Sequence, residues 1–299
     1  DLRTRQILVG FCPDPITLCE GYLIKLQKRY SKKLQQFVSD VKKYLVGVSI
    51  LYWDDTVVYV NTKQACMRFY GDGSVALFTA HPNKDLNGVM EDNILPALSE
   101  GTTVMHDHNS INYHKGFVFK NVECLQHLLR DLKKLADDSG HAWPMLLHDL
   151  ITAMIHERKI LLAKEVNSFS KNEIDEILLK VDTILENGYK EYIADLNHYY
   201  EEDERRLLNR LEAYKENYFA WLYDFEIPTT NNLSERALRF SKTKQKISGQ
   251  FESNEYASYF ADIRTYLGTC RASGINEFSS LLRLTQGNPH SLNEILSGA

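Results

Sequence analysis

The sequence predicts an α/β fold in which the sheet-forming layer is interrupted by an all-helical insertion. Three observations predict it. Stretches rich in β-branched and aromatic residues dominate the region from 47 to about 81 and recur twice before residue 125. Strand signals vanish from about His141 to Phe225, where apolar residues repeat at three and four. Further helices follow Pro228, so the layer resumes after the insertion. With 299 residues, 43% of them hydrophobic, the chain can bury a large core.

Taken in order, residues 1–46 form an N-terminal helical segment: Leu23, Leu26, Tyr30, Leu34, Phe37 and Val41 repeat at helical spacing among many lysines. Residues 47–140 are the first part of the α/β core. VGVSILYW, TVVYVNT and MRFYGDGSVALFTAH read as a meander of three strands, with a hairpin turn at Gly71-Asp72-Gly73. Residues 86–98 read as a short helix, TTVMHD as a buried fourth strand and GFVFKNVEC as a fifth. A helix then carries Leu125, Leu128, Leu129, Leu132 and Leu135 on one face. Residues 141–228 are the helical insertion, acidic around Glu201 to Glu204, with a capping-box pair at Ser170 and Glu173. Residues 229–299 return to the core. Thr230 or Asn231 caps a helix beginning near Leu233, a last helix runs roughly from Glu255 to Arg271 and stops at Gly274, and a polar tail follows.

Composition excludes several classes. No run of eighteen apolar residues exists, and the opening DLRTRQ lacks the apolar stretch of a signal peptide, so an intracellular protein without a membrane span is expected. The chain begins at Asp1 rather than Met, which predicts a fragment with something missing upstream. Cys12, Cys19, Cys66, Cys124 and Cys270 are odd in number and never spaced CxxC, so reduced thiols are expected rather than a disulfide framework or zinc finger. A net charge of −5 argues against uniform coating of nucleic acid, but a local basic stripe is compatible with it. No GxxxxGK[ST] phosphate loop and no nucleophile elbow is present, which disfavours nucleotide-triphosphate hydrolysis and Ser-His-Asp catalysis.

The chemistry-bearing residues are acids. Asp54 and Asp55 follow the apolar run SILYW, where the first strand ends or turns, and Asp107 follows the fourth strand. Two such carboxylates in contact need a cation or a raised pKa, and a hard ion such as Mg²⁺ takes oxygen ligands. The alternative is that they are strand-end acids capping turns. TTNNLSERALRFSKTKQK (229–246) places Glu235 ahead of Arg236, Arg239, Lys242, Lys244 and Lys246. Glu235 is either a third metal ligand beside a phosphate-binding ridge or a helix-initial acid favoured by the macrodipole. His106-Asp107-His108 cannot easily ligate one ion, because alternate strand residues point oppositely to the middle one. Cys124 and His127, one helical turn apart, could be half a zinc site, but packing or hydrogen bonding is favoured because no second pair has matching spacing.

The ordered set WDDT, VMHD, ECLQHLLR and TNNLSER resembles the IS66 family of bacterial insertion-sequence transposases from about Leu23 to Leu282. The resemblance implies an RNase H-like mixed five-stranded sheet with a DDE triad of Asp54, Asp107 and Glu235. Asp54-Asp55-Thr56 stands where the family shows D-E-T, and Asn231-Asn232-Leu233-Ser234-Glu235-Arg236 is similar to its N-N-x-x-E-R block. Cys124, His127 and Arg130 match its C-x-x-H-x-x-R segment, whereas His108-Asn109 replaces the usual Gly-Tyr. The implied activity is cleavage at transposon ends and strand transfer into target DNA, with two Mg²⁺ (or Mn²⁺) ions held by Asp54 on both and by Asp107 and Glu235 on one each. Arg236, Arg239, Lys242, Lys244 and Lys246 would contact DNA phosphates. A homodimer in a synaptic complex, accessory transposition proteins, a bacterial cytoplasmic location at the nucleoid and an upstream zinc-ligating DNA-binding region are implied as well. Two other readings are a nuclease of similar fold that does not join ends, and a non-catalytic DNA-binding or regulatory derivative, suggested by Asp55, His108 and Asn109.

Overall fold

A computed structural model describes residues 20–298. The first residues of the expected N-terminal helix, together with Cys12, Cys19 and the side chain of Leu23, lie outside the described residues. The strands are β1 (Ile50–Val60), β2 (Lys63–Gly71), β3 (Ala76–His81), β4 (Thr103–His106) and β5 (Lys120–Glu123). They form one sheet in the order β3-β2-β1-β4-β5; β1–β2 and β2–β3 are antiparallel and β4–β5 is parallel. This is a mixed five-stranded sheet flanked by helices, the α/β layer that the sequence predicts. The described residues divide into two compact units, residues 20–102, 113–119 and 232–298 in one, and residues 103–112 and 120–231 in the other.

In the first unit, β1 is a single long strand. Asp54 and Asp55 therefore sit in its middle rather than at an end, because a lysine from elsewhere in the unit matches the second acid (below). Asn61 and Thr62, both at positive φ (46° and 66°), make the two-residue turn into β2. The predicted hairpin at Gly71-Asp72-Gly73 forms: Gly73 has φ 103°, and Asp72 Oδ1 accepts from the N–H groups of Ser74 (2.9 Å) and Val75 (2.8 Å). The segment predicted as one helix over 86–98 is instead α2 (Leu86–Asp92) and a 3₁₀ turn at Leu95–Ala97. Asn93 adopts a left-handed conformation (φ 55°), which ends α2.

Four further helices complete this unit around α1 (Glu20–Val46): α8 (Asn232–Ser248), α9 (Asn254–Ala272) and a short pair, α10 (Glu277–Gln286) and α11 (Leu292–Ser297). The last two replace the expected polar tail. Their start signals are an Asn276 cap and a Ser291–Glu294 capping box, and Leu284, Leu292 and Ile295 are buried. Against the outer edge of the sheet, α9 presents two buried hydroxyls. Thr269 Oγ1 accepts from Ala76 N (3.2 Å) and donates to Ala76 O (3.1 Å), while Thr265 Oγ1 accepts from Phe78 N (2.8 Å). Gly268 between them permits this approach, since a Cβ there would lie 3.2 Å from both Ala76 and Phe78.

A buried polar knot pins β2 and β3 to α2. The Arg68 guanidinium lies 3.5 Å from Asp92 and donates to the carbonyls of Asn83 (3.2 Å) and Asp85 (3.1 Å). Asp92 also accepts from Tyr70 (2.8 Å) and Thr79 (2.9 Å) and pairs with His81 (2.8 Å). Both charged partners are almost wholly withdrawn from water, so their mutual satisfaction is what makes the burial tolerable.

The second unit combines β4 and β5 with α3 (Leu125–Ser139), α4 (Trp143–Ala163), α5 (Lys171–Ala194), α6 (Glu201–Ala213) and α7 (Lys215–Phe219). Its core contains Leu128, Leu132, Trp143, Leu147, Val181, Leu208, Phe219 and Trp221. The Ser170–Glu173 capping box forms at the start of α5 as predicted. Glu204 is fully buried yet accepts from Trp143 Nε1 (2.7 Å) and pairs with His141 (2.8 Å), which also faces Asp195 (3.4 Å). His198 pairs with Asp195 as well. Burial opposes a charge on His141, but the hydrogen bonds to Glu204 and Asp195 and the surrounding carboxylate charge together outweigh it and raise its pKa.

Candidate active site

The two adjacent acids of β1 are distinguished by the period of the strand, which sends them to opposite faces. Asp55 is almost covered and paired: Lys84 Nζ lies 2.7 Å away and Cys66 Sγ 3.7 Å. Burial pushes the Cys66 thiol up to about 12, and the Asp55 charge adds to it. Asp54, on the other face, accepts the N–H of Asp55 at 2.7 Å and lies across from Phe69 of β2. Of the two carboxylates, Asp55 is committed to Lys84.

Glu235 occupies the first turn of α8, where the macrodipole favours an acid. An adjacent face of this helix, about 100° round from Glu235, buries Ser234, Leu238 and Ser241, and Leu238 packs in a core with Val58, Met67, Phe69 and Phe78. Beyond Glu235, helical geometry sorts the cations. Glu235, Arg239, Lys242 and Lys246 recur at i, i+4, i+7 and i+11, which confines them to an arc of about 60°. Arg236, Arg239, Lys242 and Lys246 are exposed. Lys244 differs: its ammonium lies 4.0 Å from the Phe251 ring centroid and donates to Gln250 O (3.3 Å), and burial lowers its pKa against the pull of Glu252.

In the second unit, Asp107 directly follows β4. Its neighbours confirm that the flanking histidines serve other partners. His106 is buried and bonded to Asn121 (2.8 Å) and to the Asp107 carbonyl (2.9 Å), and burial lowers its pKa. His108 pairs with the buried Glu123 at 2.8 Å. The Asp107 carboxylate itself is held by His127 (3.1 Å) and by the side-chain amide of the buried Asn231 (3.5 Å). The hydrogen bond to Asp107, with a second to Cys124, pushes His127 up to about 10.

Cys124 is the residue on which α3 begins, and it ties this arrangement together. Its sulfur accepts the backbone N–H of Asn231 at 3.2 Å, and the next residue, Leu125, donates its N–H to Thr229 O at 3.0 Å. The C-x-x-H spacing thus puts sulfur and imidazole on one turn beside Asp107, and the segment 229–231 closes over them. Arg130, one turn further, is exposed. Ligand atoms of Asp107, Cys124 and His127 lie within 4.8 Å of one another. Sequence spacing found Cys124 and His127 but not Asn231 as their partner, because 107 residues separate Asn231 from Cys124.

With that geometry in view, the family model described as the IS66 family of transposases matches residues 12–259, and the chain belongs to that family. Among solved structures, the catalytic domain of the Mos1 mariner transposase is similar over 70% of this chain and 98% of its own, at 15% identity. The TM-score of that match is 0.18. No curated protein matches the chain. Among the described residues, no helix is long and apolar enough to cross a membrane.

Proposed function

We propose that this protein is a DDE transposase that cleaves DNA at transposon ends and joins them to target DNA, with Asp54, Asp107 and Glu235 as its catalytic carboxylates. Membership of the IS66 family over residues 12–259 carries this reading, because all three acids stand in the motifs WDDT, VMHD and NNLSER. The donor set is all carboxylate, which fits a hard divalent ion such as Mg²⁺ or Mn²⁺, and the reading takes two of them. Bound there, the ions would supply activation of the attacking oxygen and stabilisation of the leaving one.

The protein's own residues orient and neutralise. His127 and Asn231 fix the rotamer of Asp107, so that the carboxylate is held before substrate arrives. The exposed row Arg239, Lys242 and Lys246, flanked by Arg236, binds the phosphodiester backbone with little sequence preference. Lys244 supports the helix against Phe251 and contributes less. Synapsis of two ends makes a homodimer the working form, assisted by accessory transposition proteins, at the nucleoid in a bacterial cytoplasm.

The test is incubation of the protein with pre-cleaved transposon ends and supercoiled plasmid in Mg²⁺. Joined product that disappears in Asp107→Asn, Asp54→Asn and Glu235→Gln, with DNA binding retained, supports the reading. Cutting without any joined product would identify a nuclease, and undiminished activity in Asp107→Asn would leave the acids without a catalytic role.

A further inference from the structure

Beyond the hard-metal chemistry of the three acids, we propose that Asp107, Cys124 and His127 form a binding site for a single soft divalent ion, Zn²⁺ or its analogue Co²⁺. The three residues offer a carboxylate oxygen, a sulfur and an imidazole nitrogen whose ligand atoms lie within 4.8 Å of one another. Such a mixed set selects zinc over magnesium, since thiolate and imidazole are poor partners for a hard ion. All three belong to one compact unit and sit on the end of β4 and the first turn of α3.

The surroundings are those of a metal-bound sulfur. Cys124 is buried at the amino-terminal end of a fifteen-residue helix, where the macrodipole stabilises negative charge. The Asn231 N–H already points at its sulfur (3.2 Å), and the Asn231 side-chain amide points at Asp107 (3.5 Å). A donor aimed at a thiolate and another at the carboxylate are the outer contacts that orient ligands around an ion. A fully buried asparagine serving both ligands at once is a second observation, independent of the cluster. Zn²⁺ binds the thiolate and the neutral imidazole, and any protons these groups carry pass to solvent, so no oxidant or further reactant is required.

The site shares Asp107 with the transposase reading. An ion held by sulfur and imidazole withdraws that carboxylate from Mg²⁺, which makes zinc an inhibitor of joining. The binding itself does not rest on that reading, and the test needs no DNA.

Titration of the metal-free chain with Co²⁺ should give tetrahedral ligand-field absorption and a sulfur-to-cobalt charge-transfer band, saturating at one ion per chain and bleached by Zn²⁺. Cys124→Ser should abolish the charge-transfer band and His127→Gln should weaken the ligand-field bands, whereas Cys66→Ser should change neither. X-ray absorption of the wild-type zinc complex should show one sulfur at about 2.3 Å and nitrogen or oxygen at about 2.0 Å. That measurement decides the matter even if Cys124→Ser fails to fold. A wild-type spectrum without the charge-transfer band, or zinc surrounded only by nitrogen and oxygen, overturns the proposal. Joining in Mg²⁺ by the parent chain would be unaffected by that outcome, so the two readings fail separately.

Discussion

The cations of α8 differ in geometry but not in charge, and this allows a matched experiment. Arg239, Lys242 and Lys246 form one exposed row, whereas Lys244 is folded onto Phe251 at 4.0 Å. From Arg239 to Lys246 the row is about 10 Å long, at 1.5 Å per residue. Duplex DNA carries one charge per 1.7 Å of axis, so a row of that length can meet a phosphate at each of its three cations. Each neutralised phosphate contributes about 0.9 to the slope of log K against log salt, so replacing all three by Gln should lower the slope by about 2.7. Lys244→Gln removes the same unit of charge as Lys242→Gln, yet its slope should stay near that of the parent. Fluorescence anisotropy with a labelled duplex across a salt series measures both. If Lys244→Gln shifts the slope as much as Lys242→Gln does, position along the helix face is irrelevant and the argument from the stripe is wrong.

Other outcomes follow from the interior. Asp92→Ala leaves Arg68 charged and buried without its carboxylate, so denaturant unfolding should show a loss of about 3–5 kcal/mol; a loss below 1 kcal/mol would mean that the knot around Arg68 is not coupled. Thr265→Val strands the Phe78 N–H at the sheet edge, which should cost about 1–3 kcal/mol, while Thr265→Ser should restore most of it. His141 has a folded pKa above its unfolded value, so its pairing with Glu204 contributes fully below the unfolded value near 6.5 and is lost as pH rises through the folded one. Stability measured between pH 6 and 9 should therefore fall with pH more steeply in the parent than in His141→Gln. Equal slopes would show that the pair adds nothing.

The meander, the run of helices after β5 and the family were readable because they rest on local signals: alternation, helical repetition and short motifs. What escaped depends on partners distant in sequence. Two consecutive aspartates after SILYW look like a strand end, and only Lys84, 29 positions beyond Asp55 and 2.7 Å away, shows why the strand continues through them. Lys244 reads as one more cation until Phe251 is placed under it. The two short C-terminal helices are hidden by polar composition, since a few buried residues such as Leu284, Leu292 and Ile295 anchor them. The work of Cys124 and His127 depends on Asn231 folding back across the whole insertion.

The threonine seal on β3 has a temporal consequence. Thr265 and Thr269 follow the backbone groups they satisfy by 187 and 193 residues. During synthesis the sheet edge is therefore naked until nearly the entire polypeptide, including every helix of the insertion, has left the ribosome. Such an edge is a template for pairing with other chains, so truncations that end before α9 should aggregate even though every strand is present.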